Sequence, residues 1–132
     1  MVVDRRVLTR ELWSGFNGVV PDLRVGDFDD PLAGVVRLRG VEARALDIVV
    51  AKHRFVGDVL TRAEAGYVSG VLVPVVRLAD LVLLKLFAGG PQDAWDIEQA
   101  LIAGGAEVRS EVDARIGDLP ADARELWTRI RH

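Results

Sequence analysis

Residues 73–101 read VPVVRLADLVLLKLFAGGPQDAWDIEQAL and carry the strongest pattern in the chain. In Leu78–Ala88 the apolar residues cover almost the whole circumference of a helix, so this helix is predicted to be buried against the sheet. Gly89 and Gly90 end it, because glycine adopts the left-handed C-cap conformation without a Cβ clash. Pro91 then suits the first position of a new helix. The stretch therefore predicts a buried helix, a glycine break and a second helix.

The composition is that of an ordinary globular chain of 132 residues. Half of the residues are apolar and the net charge is -3, which argues against a disordered chain and against a strongly basic nucleic-acid binder. Cysteine is absent, so disulfides and cysteine-based metal sites are excluded, and two histidines are too few for a histidine metal cluster. No apolar run has the length of a membrane-spanning helix, and no signal-peptide pattern follows Met1. We therefore expect a cytoplasmic protein that does not contact a membrane.

The order of the predicted elements indicates an α+β fold with a helical C-terminal half. We expect a single domain over 1–132, with a sheet-forming part in 1–76 and a helical part in 77–132. The predicted helices cover 4–16, 55–65, 78–88, a segment from Pro91, a segment around 108–116 and a segment from Pro120. The predicted strands cover 19–25, 34–39, a segment from Glu42 or Ala43 to Ala51, and 71–76.

Several local signals refine the predicted sheet. Pro21 confines its strand to an edge or a strand start, because proline donates no hydrogen bond to a neighbouring strand. Gly40 indicates a tight hairpin between two strands. The segment 45–51, ALDIVVA, is apolar on both faces except at Asp47, which is typical of a central strand. Residues 26–31, GDFDDP, have the composition of a turn.

Asp47 is the first candidate functional residue. A carboxylate among apolar neighbours is costly to bury unless another group pairs with it. It is therefore either a metal ligand or general base on a central strand, or an acid that is solvated or paired with an arginine such as Arg37 or Arg39.

Lys85 is the second candidate, and it lies inside the most apolar helix. The chain has only one other lysine, Lys52, and the helical neighbours of Lys85 are Leu78 and Leu81. The residue is either a phosphate-binding lysine in a cleft or a lysine that extends its ammonium group to the surface along apolar neighbours.

Asp93 and Asp96 form the third candidate, because a spacing of three residues places both on one face of the second helix. Acids in a first helical turn interact favourably with the helix dipole, which is sufficient to explain Asp93. Asp96 lies deeper in the helix and needs another explanation. Trp95 between them has three interpretations, a core residue, a lid over a ligand or an exposed aromatic, of which core is the commonest.

Residues 73–101 resemble the C-terminal signature of a bacterial nucleotidyltransferase-like family. This family is the branch of the polymerase-β-type superfamily that includes abortive-infection toxins. In it a helix ending in Leu-Lys-Leu-x-Ala-Gly precedes x-Pro-x-Asp-x-x-Asp-Ile, which residues 84–89 and 90–97 match. The strand at 45–51 resembles the family's later catalytic strand, and Asp47 stands where that strand supplies an acid. The likeness extends more weakly from about Asp4 to Leu101.

The resemblance implies a nucleotidyltransferase-like mixed sheet flanked by helices, with a nucleoside triphosphate as substrate. It assigns Asp47 as a catalytic and metal-binding acid, Lys85 as a catalytic phosphate contact, and Asp93 and Asp96 as supporting acids at the nucleotide cleft. In such enzymes two Mg²⁺ ions held by three carboxylates activate the attacking hydroxyl and stabilise the leaving pyrophosphate. The implied partners are a nucleotide, an RNA acceptor, a second copy of the chain or an antitoxin-like protein.

One part of the family pattern is not present in this sequence. Family members begin with a strand and helix bearing Gly-Gly or Gly-Ser, followed by an Asp-x-Asp pair that binds the metal ions. Here the only adjacent acids before Asp47 are Asp29 and Asp30, which precede Pro31 in a predicted turn. We therefore expect a truncated or degenerate member that transfers no nucleotide by itself. The alternative is a non-catalytic protein-interaction module, or a homo-oligomer, on the same scaffold.

If the carried-over assignments hold, the candidate residues share one site. We expect Asp47, Lys85 and at least one of Asp93 and Asp96 to face a common cleft, with carboxylate and ammonium close enough to interact.

Overall fold

The computed structural model describes residues 1–2, 4–30, 32–40 and 44–131. The chain forms two compact units, Met1–Gly57 and Asp58–His132. Helices are combined with antiparallel sheets, so the predicted α+β class is confirmed. The expectation of a single domain over 1–132 stays a prediction.

A three-stranded antiparallel sheet is the centre of the first unit. Strands β1 (Val19–Val25), β2 (Leu32–Gly40) and β3 (Leu46–Ala51) lie in the order β1-β2-β3. A 3-10 helix over Arg5–Leu8 and the short helix α1 (Arg10–Trp13) precede the sheet. The β1 strand contains Pro21 and lies at the sheet edge, as its proline predicts.

The N-terminal helix is shorter than the predicted range of 4–16. Asp4 caps the 3-10 helix, since its carboxylate accepts a hydrogen bond from the Arg6 amide at 2.9 Å. Thr9 then has an extended backbone, which separates the 3-10 helix from α1. The buried Trp13 ties the two together, because its indole nitrogen donates to the Val7 carbonyl at 2.8 Å.

The prediction that β3 is a central strand is wrong, because β2 occupies that position. The apolar character of β3 reflects burial at one end of the strand. Val50 is fully buried, and Val2 forms a parallel bridge to it through hydrogen bonds with Val49 and Ala51. At the other end Leu46 is exposed, so the strand does not need cover on both faces.

Two predicted connections fall partly outside the described residues. The pairing of β2 with β3 extends to Leu38 opposite Leu46, but the predicted tight hairpin and the strand start at Glu42 or Ala43 involve residues 41–43, which are not described. The turn after β1 is confirmed up to Asp30, since the Asp27 carboxylate accepts from the amides of the two following acids at 3.1 and 3.0 Å. Pro31 is again outside the described residues.

The next helix, α2, covers Arg54–Thr61 and ends before the predicted limit of 65. Sequence analysis missed the strand that follows: β4 (Glu64–Val68) pairs antiparallel with β5 (Val71–Val75). Ser69 and Gly70 both have positive φ, 51° and 80°, and form the two-residue turn between the strands. A Ser-Gly dipeptide between apolar residues is a recognisable hairpin signal, because such turns require positive φ.

Helices α3 (Leu78–Ala88), α4 (Pro91–Asp113) and α5 (Ala121–Ile130) make up most of the second unit. The predicted burial of the helix over 78–88 is confirmed, and Gly89 ends it with a φ of 68°. This helix packs against α4 and α5, and its packing against the sheet stays a prediction. The helical segment predicted from Pro91 and most of the one predicted around 108–116 lie in α4, which is kinked where Gly105 leaves helical geometry. Side chains of α3, α4 and α5 form the core of this unit: Val82, Leu83, Leu86, Ile97, Leu101, Val112 and Trp127. None of the described helices combines the length and the apolarity needed to cross a bilayer.

Candidate functional site

Lys85, Asp93 and Asp96 lie together at the junction of α3 and α4. The Lys85 Nζ is 2.9 Å from Asp93 Oδ1 and 2.5 Å from Asp96 Oδ2. The lysine is in the last turn of α3 and the acids are near the start of α4, so the chain reversal at Gly89 and Gly90 brings them into contact. We call these three side chains the lysine cluster. Between 22% and 31% of each side chain is exposed, so the cluster is within reach of solvent.

Each carboxylate oxygen of the lysine cluster has a hydrogen-bond donor. The second oxygen of Asp93 accepts from the Gly90 amide at 3.1 Å, and the second oxygen of Asp96 accepts from Gln92 Nε2 at 3.1 Å. Asp93 thus caps the helix and binds the lysine at once. Asp96, whose position the helix dipole did not explain, is explained by Lys85.

Electrostatics favour the charged forms of Lys85 and Asp96. The hydrogen bonds that Lys85 donates to Asp96 and then to Asp93 raise the pKa of Lys85, and hydrogen bonds from Lys85 and then Gln92 lower the pKa of Asp96. One ammonium group and two carboxylates give a formal charge of −1. Lys85 is therefore an ion-paired residue between two helices, which neither of the two sequence interpretations described.

Asp47 lies on the open face of the first unit's sheet. Its two oxygens accept from Arg37 Nε and Nη2, each at 2.7 Å, in a bidentate pair. Arg37 stands directly opposite Asp47 in the β2–β3 register. This is the pairing with arginine that sequence analysis kept as an alternative. The hydrogen bonds from Arg37 lower the pKa of Asp47.

The structure brings together three of the four residues predicted from the family signature. Lys85, Asp93 and Asp96 meet in the second unit, whereas Asp47 belongs to the first unit. The common cleft with Asp47 stays a prediction.

The carboxylates of Asp47, Asp93 and Asp96 are the candidate oxygen ligands for Mg²⁺ in this chain. In the described ranges no group of three or more histidine, cysteine, aspartate or glutamate side chains is placed to hold a metal ion. Both oxygens of Asp47 already accept from Arg37, and those of Asp93 and Asp96 accept from Lys85, Gly90 and Gln92. In this arrangement protein donors already occupy the oxygens of all three acids, and Mg²⁺ binding stays a prediction.

Sequence analysis missed the most buried acid among the described residues. Asp80 is in the first turn of α3 and is 1% exposed. Arg62 holds it with Nη2 at 2.5 Å and Nε at 3.1 Å from Oδ1. Asp80 is an acid inside a helix that the pattern predicts to be buried, and this was the signal available. Its role here is to join the residue after α2 to α3.

The commonest interpretation of Trp95, a core residue, is wrong. Its side chain is exposed at the surface of α4, and Ile97 is the fully buried residue of that turn. The buried side chains of α4 are thus aliphatic. Trp95 is a sequence neighbour of Asp96, which belongs to the lysine cluster.

No protein family matches the sequence, and no curated protein matches it either.

Proposed function

We propose that this chain is a cytoplasmic nucleotidyltransferase-like protein that keeps a remnant of a nucleotide cleft and transfers no nucleotide by itself. The observation that carries the proposal is the lysine cluster. Lys85, Asp93 and Asp96 are the polar residues of the family signature, and they meet at one solvent-accessible place. Their coincidence in space is what a shared ancestral site predicts.

The lack of transfer follows from the chemistry of the carboxylates. Nucleotidyl transfer in this superfamily needs acids whose oxygens are available to metal ions, and the three candidate acids are all engaged with protein donors. Losing the metal ligands removes several kcal/mol of transition-state stabilisation, which corresponds to orders of magnitude in rate. We therefore expect binding without turnover.

Nucleotide binding at this site is expected to be weak. A triphosphate must compete with Asp93 and Asp96 for the ammonium group of Lys85, and the cluster's charge of −1 repels it. Lys85 is nevertheless the one cation of the cluster, so binding should depend on it.

A thermal-shift titration tests the binding. Each nucleoside triphosphate, with Mg²⁺ or Mn²⁺, is expected to raise Tm saturably in the wild type and not in Lys85→Gln, because a ligand of the native state stabilises it. Lys52→Gln is the matched control, since Lys52 is the other lysine and binds backbone carbonyls of the loop after β1 in the first unit. No shift in the wild type, or an equal shift in Lys85→Gln, contradicts the proposal.

A transfer assay tests the second part of the proposal, that the chain transfers no nucleotide by itself. Labelled nucleotide incubated with the wild type and RNA, or with the protein alone, is expected to remain unincorporated. Incorporation that disappears in Asp47→Ala would show that the chain rebuilds a metal site.

The exposed apolar hairpin favours a second candidate function, a non-catalytic interaction module. On β4 and β5 the side chains of Tyr67 and Leu72 are 77% and 58% exposed and stand opposite each other, and Val68 and Val71 are also exposed. Such a surface suits a second copy or an antitoxin-like protein. Sedimentation velocity at increasing concentration tests the first case. A self-associating wild type that becomes monomeric in Tyr67→Lys supports it, and a monomeric wild type contradicts it.

A further inference from the structure

The open face of the first unit's sheet lines a cavity of about 600 Å³ that is open to solvent. Successive side chains of a strand alternate between the two faces of a sheet, so the strand register sorts six of the seven lining residues into two rows on one face, and Leu23 belongs to neither row. The first row is charged and consists of Asp22, Arg37 and Asp47. The second row consists of Arg24, Val35 and Val49.

The charged row is balanced by its own arginines. Arg37 binds Asp47 at 2.7 Å, and Arg39, beside it on β2, lies 3.8 Å from Asp22. Both acids of the cavity are therefore matched by a guanidinium group on the central strand.

Arg24 is the exception on this face. It forms no ion pair with any residue in the described part of the chain, although it lines the cavity. Its strand partner is Val35, and Val49 follows on β3, so one uncompensated positive charge stands at the end of an apolar row.

We propose that this face binds a small organic oxyanion, whose carboxylate or phosphate group pairs with Arg24 and whose apolar body lies on Val35 and Val49. A guanidinium group offers two parallel N–H donors that match the oxygens of either anion. Neighbouring strands are about 4.8 Å apart, so a ring of phenyl size covers both valines. The cavity volume is in the range of small-molecule sites, which combine an apolar floor with a few polar groups.

The charged row sets the orientation of the ligand. Asp22 and Asp47 repel an anion from that side of the cavity, so the oxyanion is directed to Arg24 and the apolar body to the valines. The site lies in the first unit and uses no residue of the lysine cluster, so it stands independently of the proposed function.

An NMR titration with two phenyl oxyanions tests the site. Phenyl phosphate and benzoate share an apolar body and differ in the anion, whereas phenol lacks the charge and inorganic phosphate lacks the ring. We expect saturable shifts of the Val35 and Val49 amides with at least one phenyl oxyanion, and roughly tenfold weaker binding of phenol and inorganic phosphate. The stronger of the two phenyl ligands identifies the preferred anion.

Arg24→Gln is expected to weaken binding of the preferred ligand roughly tenfold or more, and Arg24→Lys to weaken it less. Arg10→Gln is the matched control, because Arg10 is an exposed arginine of the same unit outside the cavity. Arg24 is exposed on an edge strand, so its replacement leaves the core intact. Equal binding by Arg24→Gln, no saturable shift in the wild type, or shifts that disappear in Lys85→Gln would each overturn the proposal.

Discussion

The two units contain the same ion pair in two different environments. Arg37–Asp47 in the first unit and Arg62–Asp80 in the second are both close arginine–aspartate pairs, with shortest distances of 2.7 and 2.5 Å. The Asp47 side chain is 42% exposed, whereas that of Asp80 is 2% exposed. Water competes with Arg37 for the carboxylate of Asp47, whereas the carboxylate of Asp80 is shielded from water. Burial, and not the geometry of the pair, therefore decides how much removing one partner changes the free energy of unfolding.

The sequence around the two acids does not separate them. Asp47 follows Leu46 in an apolar strand, and Asp80 follows Ala79 in an apolar helix. Either could have been the solvated acid. The difference arises because Asp47 stands on the open face of a sheet, while Asp80 is on a helix whose surroundings are core.

The largest effect is expected for Asp80→Ala. It leaves Arg62, which is 30% exposed, without its partner next to the core, so the free energy of unfolding should fall by about 3 kcal/mol. Urea denaturation measures this, and Asp47→Ala is the matched control, for which little change is expected. The double variant Asp80→Leu/Arg62→Met should regain much of the loss, because apolar residues can replace a buried pair. Equal losses in both single variants would remove the distinction between the two environments.

Lys85→Met should have the next largest effect. It leaves Asp93 and Asp96 close together without the cation between them, and their repulsion should lower Tm by about 5 °C. Scanning calorimetry at pH 7 provides the measurement. Adding Asp96→Asn removes the repulsion, so the double variant should melt higher than Lys85→Met alone. A Tm for Lys85→Met equal to that of the wild type would mean that the cluster is not formed in solution.

A pH series probes the same cluster with a smaller effect. The pKa of Asp96 is lowered from 3.8 by Lys85, so its contribution is present above its unfolded value and is lost as the pH falls through the lower folded value. The Tm difference between the wild type and Asp96→Asn should therefore be constant near neutral pH and shrink below about pH 4. A difference that grows on acidification would contradict this direction.

Arg37→Gln should have the smallest effect. Both partners of the exposed pair are solvated after the change, so Tm should remain within about 2 °C of the wild type. The small difference should decrease further in about 1 M salt, because exposed charges are screened. A large, salt-independent loss would place this pair in the same class as Arg62–Asp80 and break the comparison.

Elements with strong local signals were predictable from sequence. The helix over 78–88, its end at Gly89 and the edge position of Pro21 each follow from a property of one residue or one helical turn. The strand β4 is missing from the prediction because the predicted helix extends over residues 64–65. The turn at Ser69-Gly70 is the signal that identifies the hairpin.

Local sequence was sufficient to predict the α+β class and the bounds of α3, since φ preferences and apolar periodicity act over a few residues. It also placed Asp93 and Asp96 on one helix face. Only the tertiary structure decided which cation each acid meets and how much water remains around it. Lys85 reaches both acids because α4 reverses direction at Gly90, and β3 is the outer one of the named strands because β2 pairs with both β1 and β3. Such pairings depend on how whole elements pack against each other, and local preferences contain no information about that packing.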